Sequence, residues 1–324
     1  MLKQTARGTR YLTAPECRVI ASTKINPAFF SGDSDGFVRA LFPQQFMTEA
    51  ECAEWYGKRE YVPAPYFTDK PKLTDGAQLI KFAGQLCYLS FGEQRSKNAQ
   101  ASEYLAHIKQ SGHGSVLEHY NVSILLYGVS RAFTHELVRH RAGFGFSQVS
   151  QRYVAGKHLR FVESLATQFE PYPPGTDVPY DLQTWEGKGI AQKRANQAEL
   201  HFGFERWIDA AVCEYGRREQ YLLMQAGHDW QHATTEQRKA VRQEARRCLP
   251  NETEAAIVVT GNLRAWRHFV EQRCSKWADA EACHAAYTVF VQLQALEPIL
   301  WEDYVSGDAR PDGLPTLTTP YRKV

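Results

Sequence analysis

The sequence has no long apolar run, no marked excess of charge of either sign and no paired cysteine motif. No stretch approaches the roughly 18 apolar residues of a membrane span, and the N-terminus lacks the apolar segment of a secretory signal. The 38 basic and 36 acidic residues leave a net charge of +2, which disfavours a protein that coats nucleic acid. The seven cysteines are dispersed, which is typical of reduced thiols. We therefore expect a soluble, cytoplasmic protein with no membrane or nucleic-acid partner.

What the chain does have is an ordinary globular composition, with 43% hydrophobic and 23% charged residues among 324. These fractions exclude a disordered or collagen-like chain. The pattern changes near residue 75, before which short apolar pieces, at most one of them a strand, alternate with proline and aromatic residues. We expect an N-terminal extension over residues 1–75, a main domain over 76–305 and a C-terminal tail over 306–324.

Helical periodicity dominates the main domain. An apolar stripe from Leu200 to Tyr215 marks the clearest helix. Residues 122–126 alternate in the manner of a strand, and Ser130 and Asn262 are suited to capping helices. The pattern predicts an α+β fold, a helix-rich single domain with a small sheet. The other predicted helices cover residues 76–88, 101–110, 134–141, 235–247, 263–273 and 278–296, with a second short strand at 160–162.

Two segments resemble well-known motifs, for zinc binding and for dinucleotide binding, but do not match them. His135 and His140 resemble the histidine pair of a zinc protease, but residues five apart point about 140° away from each other around a helix. They cannot share one metal ion, so no metal site is predicted. Gly143 and Gly145 form only half of a dinucleotide-binding GxGxxG motif and follow a predicted helix instead of a strand. A Rossmann fold is therefore not supported.

The most informative segment is residues 139–153, RHRAGFGFSQVSQRY, where three arginines, a histidine and several Ser and Gln residues crowd together. Arginine forks suit phosphate and carbonyl oxygens, and the glycines allow close approach of the backbone to a ligand. The alternative is a solvated basic turn, which the interleaved Phe144 and Phe146 make less attractive.

Two further segments carry polar residues that could serve a ligand. Ser115 fits the start of a capping box, which explains part of GHGSVLEH at 112–119 but not its two histidines. Arg273 lies on the apolar face of the predicted helix 263–273, and a buried arginine needs a partner. That partner is either a ligand or an acid such as Glu281.

Together these segments resemble the signature motifs of the flavin-dependent thymidylate synthases. The family signature is RHR, a spacer and SxRY, and this chain has RHR at 139–141 and SQRY at 150–153. The segments GHGSVLEH at 112–119, ARRCLP at 245–250 and TGNLRAWRHF at 260–269 are similar to the family's accessory motifs.

The resemblance implies an enzyme whose catalytic domain covers residues 76–305, with the family's central mixed sheet flanked by helices. Such enzymes methylate C5 of dUMP to give dTMP, with 5,10-methylenetetrahydrofolate as carbon donor, FAD as hydride carrier and NADPH as reductant. They work as homotetramers whose sites are shared between subunits.

By motif position, the resemblance also implies which residues bind. Arg273 would be catalytic, because a fixed guanidinium polarises the uracil ring. The flavin would be bound by His113, Ser115, Arg139, His140, Arg141, Gln148, Asn262, Leu263, Arg264 and His268. The nucleotide would be bound by Glu136, Arg139, Gln148, Ser150, Gln151, Arg152, Arg246 and Arg273.

Two departures from the family pattern bear on the pocket. The spacer 142–149 has eight residues where the family usually has one fewer, and Cys283 stands where relatives usually have arginine. One branch of the family methylates UMP, so the ribonucleotide is the alternative substrate. A less favoured alternative is a non-catalytic RNA- or DNA-binding module, which the near-neutral charge opposes.

Overall fold

The structure is a computed structural model that describes residues 1–26, 73–88, 101–154, 156–168, 184–229 and 231–322. Most of the predicted N-terminal extension, residues 27–72, lies outside the described residues. Helices and short sheets alternate along the described part of the chain, which confirms the α+β class.

Helices form where apolar residues recur at helical spacing and a polar side chain caps the first turn. The Asn262 side chain accepts a hydrogen bond from Ala265 N at 2.8 Å, and Ser130 Oγ accepts one from Phe133 N at 3.1 Å, so both predicted caps are confirmed. The described helices are α1 (Asp75–Leu86), α2 (Ala101–Gln110), α3 (Arg131–Leu137), α4 (Trp185–Gln225), α5 (Thr235–Ala245), α6 (Leu263–Arg273), α7 (Ala280–Leu296) and α8 (Pro298–Trp301). Short 3-10 helices cover Gly114–His119, Gly156–His158 and Arg246–Cys248.

The described strands are β1 (Leu2–Gln4), β2 (Arg10–Leu12), β3 (Glu16–Ser22), β4 (Asn121–Tyr127), β5 (Phe144–Gln148), β6 (Arg160–Val162), β7 (Ile257–Asn262), β8 (Val305–Ser306) and β9 (Leu317–Thr318). The largest sheet among these strands has the order β3-β4-β7-β5, and all its neighbouring strands are antiparallel. The mixed sheet is a smaller one, β1-β2-β6, in which β2 runs antiparallel to β1 and parallel to β6. Parallel pairing, which the resemblance placed in the central sheet, is thus found in the small sheet.

Strand β4 lies between β3 and β7 in the large sheet, and one of its faces is entirely apolar. Val122, Ile124 and Leu126 are wholly buried there, in one hydrophobic cluster with Trp266 of α6 and Val289 of α7. Burying each such aliphatic side chain contributes about 1.5–3 kcal/mol. The cluster therefore fixes helix α6, which carries several predicted site residues, against the sheet.

The structure differs from the prediction after Leu137, where α3 ends instead of continuing to Arg141. Gly143 has a φ of +77°, and a Cβ there would lie 2.6 Å from Asn262 Nδ2. This turn leads the chain into strand β5, which pairs with β7. The segment 144–148 thus forms a strand that the sequence analysis treated as part of a turn. Its pairing partner is distant along the chain, so local periodicity does not reveal it.

Both ends of the described chain take part in sheets. Strand β3 pairs with β4, and β2 pairs with β6, so the first 26 residues hold three strands where at most one was expected. At the other end, β8 pairs with β9, and Leu317 is buried. The division of the chain at residues 75 and 305 stays a prediction.

Candidate active site

Arg273 ends helix α6 and contacts polar side chains of helix α3 and of the segment after it. Its Nη1 donates to Glu136 Oε2 at 2.7 Å, and its Nε donates to His140 Nε2 at 3.0 Å. The side chain remains 19% exposed, so the guanidinium is open to a ligand. Glu281, the partner considered from the sequence, instead accepts hydrogen bonds from Ser130 N and Oγ at 2.6 Å each. The acid that pairs with Arg273 is therefore Glu136, which the motif assigned to the nucleotide.

His140 is a neutral imidazole at physiological pH. Burial, the Arg273 guanidinium and His268 together lower the pKa of His140 to about 4. The His140 ring centroid lies 6.0 Å from that of His268 and 5.4 Å from that of Phe269, both edge to face. Because Nε2 accepts a hydrogen bond from Arg273, the ring proton lies on Nδ1. His140 thus orients the guanidinium as a hydrogen-bond acceptor.

We expect the NMR chemical shifts of the His140 ring to stay nearly constant between about pH 5.5 and about pH 8. The folded-state pKa is depressed, so the stabilising contribution of the neutral ring is present above the ordinary value of 6.5 and is lost as the pH falls toward about 4. An NMR titration of labelled histidine measures this, with His140→Gln identifying the signal. A midpoint near 6.5 would contradict the burial of this ring beside Arg273.

Two arginines near the start of α3 pair with no carboxylate among the described residues. Arg131 is the first residue of α3, and Arg246 begins the 3-10 helix after α5. Burial and the nearby charge of Arg246 lower the pKa of Arg131. Two guanidinium groups that repel each other favour an anion beside them. The family motifs include Arg246 but not Arg131, because the two residues are distant along the chain and only the fold brings them together.

The SQRY turn contains donors that lack acceptors. Gln151 Nε2 and Arg152 Nε are buried without a hydrogen-bond partner in the part of the chain that the structure describes. Ser150 Oγ accepts a hydrogen bond from Arg152 N at 3.4 Å and shapes the turn. Arg242 Nη1 donates to Tyr153 O at 2.7 Å and ties the turn to helix α5. Because a buried donor without an acceptor is costly, these atoms indicate a polar ligand at the turn.

Five of the ten residues that the motif assigned to the flavin lie around the start of α6 and the 3-10 helix Gly114–His119. Arg264 Nη1 donates to Glu118 Oε1 at 2.7 Å and joins these two segments. The 3-10 helix has no side-chain cap, so the capping-box interpretation of Ser115 is wrong and its hydroxyl remains available. Leu263 is wholly buried in the core, which leaves no part of its side chain for a ligand. Gln148 ends β5 and is half-buried, whereas the structure exposes His113, Ser115, Arg139, Arg141 and His268.

Comparison with known proteins decides the family. A family model described as "Thymidylate synthase complementing protein" matches residues 72–299, more than half of the chain. The flavin-dependent thymidylate synthase of Mycobacterium tuberculosis (strain ATCC 25618 / H37Rv) is 37% identical over 266 residues, which are 81% of this chain and 93% of the relative. This chain belongs to the flavin-dependent thymidylate synthases. The enzyme of Mycobacterium sp. (strain JLS) is 38% identical over 255 residues, 78% of this chain and 90% of the relative.

A solved structure of a flavin-dependent thymidylate synthase relative, Thymidylate Synthase X from Helicobacter pylori with FAD and dUMP, covers 70% of this chain and 93% of its own. Its sequence identity is 19% and its TM-score is 0.44, a likeness too slight to support an argument about the site. The family membership rests on the family model and the mycobacterial relatives.

As a flavin-dependent thymidylate synthase, the chain is an enzyme that uses FAD. The donor set fits a dinucleotide, because Arg139 and Arg141 are exposed and pair with no carboxylate within the described ranges. Among the residues that the structure describes, no group of three or more His, Cys, Asp and Glu side chains is arranged to hold a metal ion. His135 and His140 belong to no such group there. The described helices include none that is long and apolar enough to cross a membrane.

Proposed function

We propose that the chain converts dUMP to dTMP at a site in which Arg273, Glu136 and His140 receive the pyrimidine. The observation that carries the proposal is the Arg273 guanidinium, paired with Glu136 at 2.7 Å and with neutral His140 at 3.0 Å. These bonds use Nη1 and Nε, which leaves the Nη2 hydrogens for a carbonyl oxygen of the base. A fixed cation beside that oxygen stabilises the negative charge that develops as C5 becomes nucleophilic.

The phosphate of the nucleotide binds between the unpaired arginines and the SQRY turn in this proposal. A phosphate monoester carries nearly two negative charges at neutral pH and accepts several charge-assisted hydrogen bonds. It relieves the repulsion between Arg131 and Arg246 and gives acceptors to Gln151 Nε2 and Arg152 Nε. Arg131 thus joins the nucleotide-binding residues that the motif supplied.

We expect Arg131→Gln to raise the KM for dUMP by about 10- to 100-fold, because a hydrogen bond to a charged group contributes about 1.5–3 kcal/mol. The phosphate is remote from C5, so kcat should change little. Steady-state kinetics over a range of dUMP concentrations measures both constants. Arg217→Gln, which removes an exposed arginine of α4, is the matched control. An unchanged KM in Arg131→Gln would remove Arg131 from the phosphate site.

Exposed side chains around the start of α6 bind the cofactor in this proposal. FAD supplies hydride chemistry when bound, with NADPH as its reductant and 5,10-methylenetetrahydrofolate as the carbon donor. Arg139 and Arg141 offer cationic N–H groups to the pyrophosphate, and His113 and Ser115 offer neutral polar groups. The ion pair between Arg264 and Glu118 holds the 3-10 helix against α6, so that both sets of donors keep one arrangement.

We also propose that the chain acts as a cytoplasmic homotetramer. Helix α4 leaves Leu200, Phe202 and Trp207 about half exposed, and apolar surface of this kind favours contact with another subunit. The cysteines within the described residues are free thiols, in keeping with a reducing compartment. Light scattering on the purified protein tests the assembly, and a monomer would contradict it.

The test of substrate uses the purified, FAD-loaded protein with NADPH, 5,10-methylenetetrahydrofolate and equal concentrations of dUMP and UMP. Mass spectrometry identifies the methylated product. The proposal predicts dTMP as the main product. Methylated UMP as the main product would support the ribonucleotide alternative instead. Retention of RNA without methylation of either nucleotide would support the non-catalytic binding module.

A further inference from the structure

The C-terminal segment, residues 305–322, holds the loop that directly follows Arg273. Arg310 Nη1 donates to Ser275 O at 2.8 Å and to Ala278 O at 2.7 Å, so one guanidinium spans the loop between α6 and α7. Its side chain is only 8% exposed, which is unusual for an arginine in a terminal segment. These two carbonyls lie just beyond the end of α6, where the backbone needs donors from elsewhere.

The Arg310 guanidinium is itself fixed by its own turn. Its Nη2 donates to Asp312 Oδ2 at 2.8 Å, and its Nε lies 3.0 Å from the same carboxylate oxygen. Gly313 N donates to Arg310 O at 2.9 Å, and Gly313 has a φ of +78°, which favours glycine there. A planar fork held by a carboxylate loses little further freedom when it binds the loop.

Other residues of the same segment also contact the end of α6. Leu317 N donates to Cys274 O at 2.9 Å, next to Arg273 in the chain. The Cys283 thiol donates to Pro315 O at 3.6 Å, which ties the segment to α7 as well. The end of α6 is thus held on one side by the core and on the other by residues 310–317.

We propose that Arg310 is a positioning residue, which keeps the Arg273 guanidinium against Glu136 and His140 by fixing the loop from Cys274 to Ala278. The inference rests on the proposed role of Arg273. Catalysis is sensitive to small displacements of a charged group, so loss of the Arg310 bonds lowers kcat. The KM for dUMP changes little, because the proposed phosphate site lies at the SQRY turn and Arg131.

The experiment compares Arg310→Ala with the wild-type holoenzyme. We expect kcat to fall by about 10-fold with the KM for dUMP and the flavin content nearly unchanged. The NMR midpoint of His140 should rise above its wild-type value, because the Arg273 charge that depresses the pKa of His140 has moved away. A merely structural loss of stability would not move that midpoint in the folded protein.

Two further variants keep the test decisive. Asp312→Asn weakens the support of Arg310 and should change kcat and the His140 midpoint in the same direction by a smaller amount, even if Arg310→Ala does not fold. Arg322→Ala is the matched control, since this arginine lies in the same segment, is largely exposed and pairs loosely with Glu271 at 3.6 Å. An active wild type with unchanged kcat and His140 midpoint in Arg310→Ala and Asp312→Asn would overturn this inference alone. An inactive wild type would instead overturn the proposed function.

Discussion

The Arg273→Ala variant is expected to form dTMP at a much lower rate than the wild type and to keep its flavin bound. The guanidinium is held by Glu136 and His140, at 2.7 and 3.0 Å, with its remaining N–H groups open to the substrate. Removing a fixed donor that stabilises developing charge lowers kcat by about 10²- to 10³-fold. Asn262 and Arg264 lie at the other end of α6, about 15 Å away along the helix, so the flavin contacts at that end should persist.

The measurement is the rate of dTMP formation at saturating dUMP, with the visible spectrum giving the flavin content. Gln272→Ala changes an exposed neighbour on the same helix and should keep the wild-type rate. Arg273→Lys keeps the charge but not the fork that contacts two partners, so an intermediate rate is expected. A wild-type rate in Arg273→Ala would exclude the proposed role, and a colourless variant would assign Arg273 to flavin binding instead.

The substitution Asp303→Asn is expected to lower the free energy of unfolding by about 3–5 kcal/mol. The carboxylate of Asp303 accepts hydrogen bonds from Arg267 Nη2 at 2.7 Å and from Lys109 Nζ at 2.8 Å. The side chains of these two cations are only 1% and 2% exposed. An amide removes the negative charge that both buried cations contact, which leaves Lys109 with the more distant carboxylate of Glu302 at 3.7 Å. Arg267 belongs to the helix that carries Arg273.

Urea unfolding at neutral pH measures this effect. Asp308→Asn changes an exposed acid in the C-terminal segment and should lie within about 0.5 kcal/mol of wild type. Burial raises the pKa of Asp303, but the hydrogen bonds and charge of Arg267 and Lys109 outweigh it and hold that pKa well below its ordinary range. The wild type therefore loses this stabilisation as the pH falls below the ordinary pKa of an aspartate and toward the lower pKa of Asp303. The difference in the free energy of unfolding between the wild type and Asp303→Asn then becomes smaller. A difference below about 1 kcal/mol at neutral pH would contradict the prediction.

The sequence was sufficient for elements whose signals are local. The bounds of α6 were predicted as observed, because Asn262 caps a helix whose apolar residues recur at helical spacing. Strand β4 was likewise evident, because the apolar residues Val122, Ile124 and Leu126 recur at every second position. Strand β5 was not evident, because its Phe-Gly-Phe-Ser-Gln sequence becomes a strand only by pairing with β7, which lies far along the chain.

For the candidate site, too, the sequence predicted which residues take part but not how they are arranged. The motifs supplied Arg273, His140 and Glu136, but the sequence contained nothing to show that Arg273 contacts the other two. Arg131 was missed because its environment depends on Arg246, which approaches it only in the folded chain. Contacts of this kind are set by packing among distant segments, which periodicity and local motifs do not encode.

The most direct test of the account is the release of tritium from dUMP labelled at C5. The purified, FAD-loaded chain receives the labelled nucleotide, 5,10-methylenetetrahydrofolate and NADPH, and Arg273→Ala is assayed beside it at equal flavin content. We expect tritium in water in proportion to the dTMP formed by the wild type, with little release by the variant. Oxidation of NADPH by the wild type without tritium release, or equal release by both proteins, would contradict it.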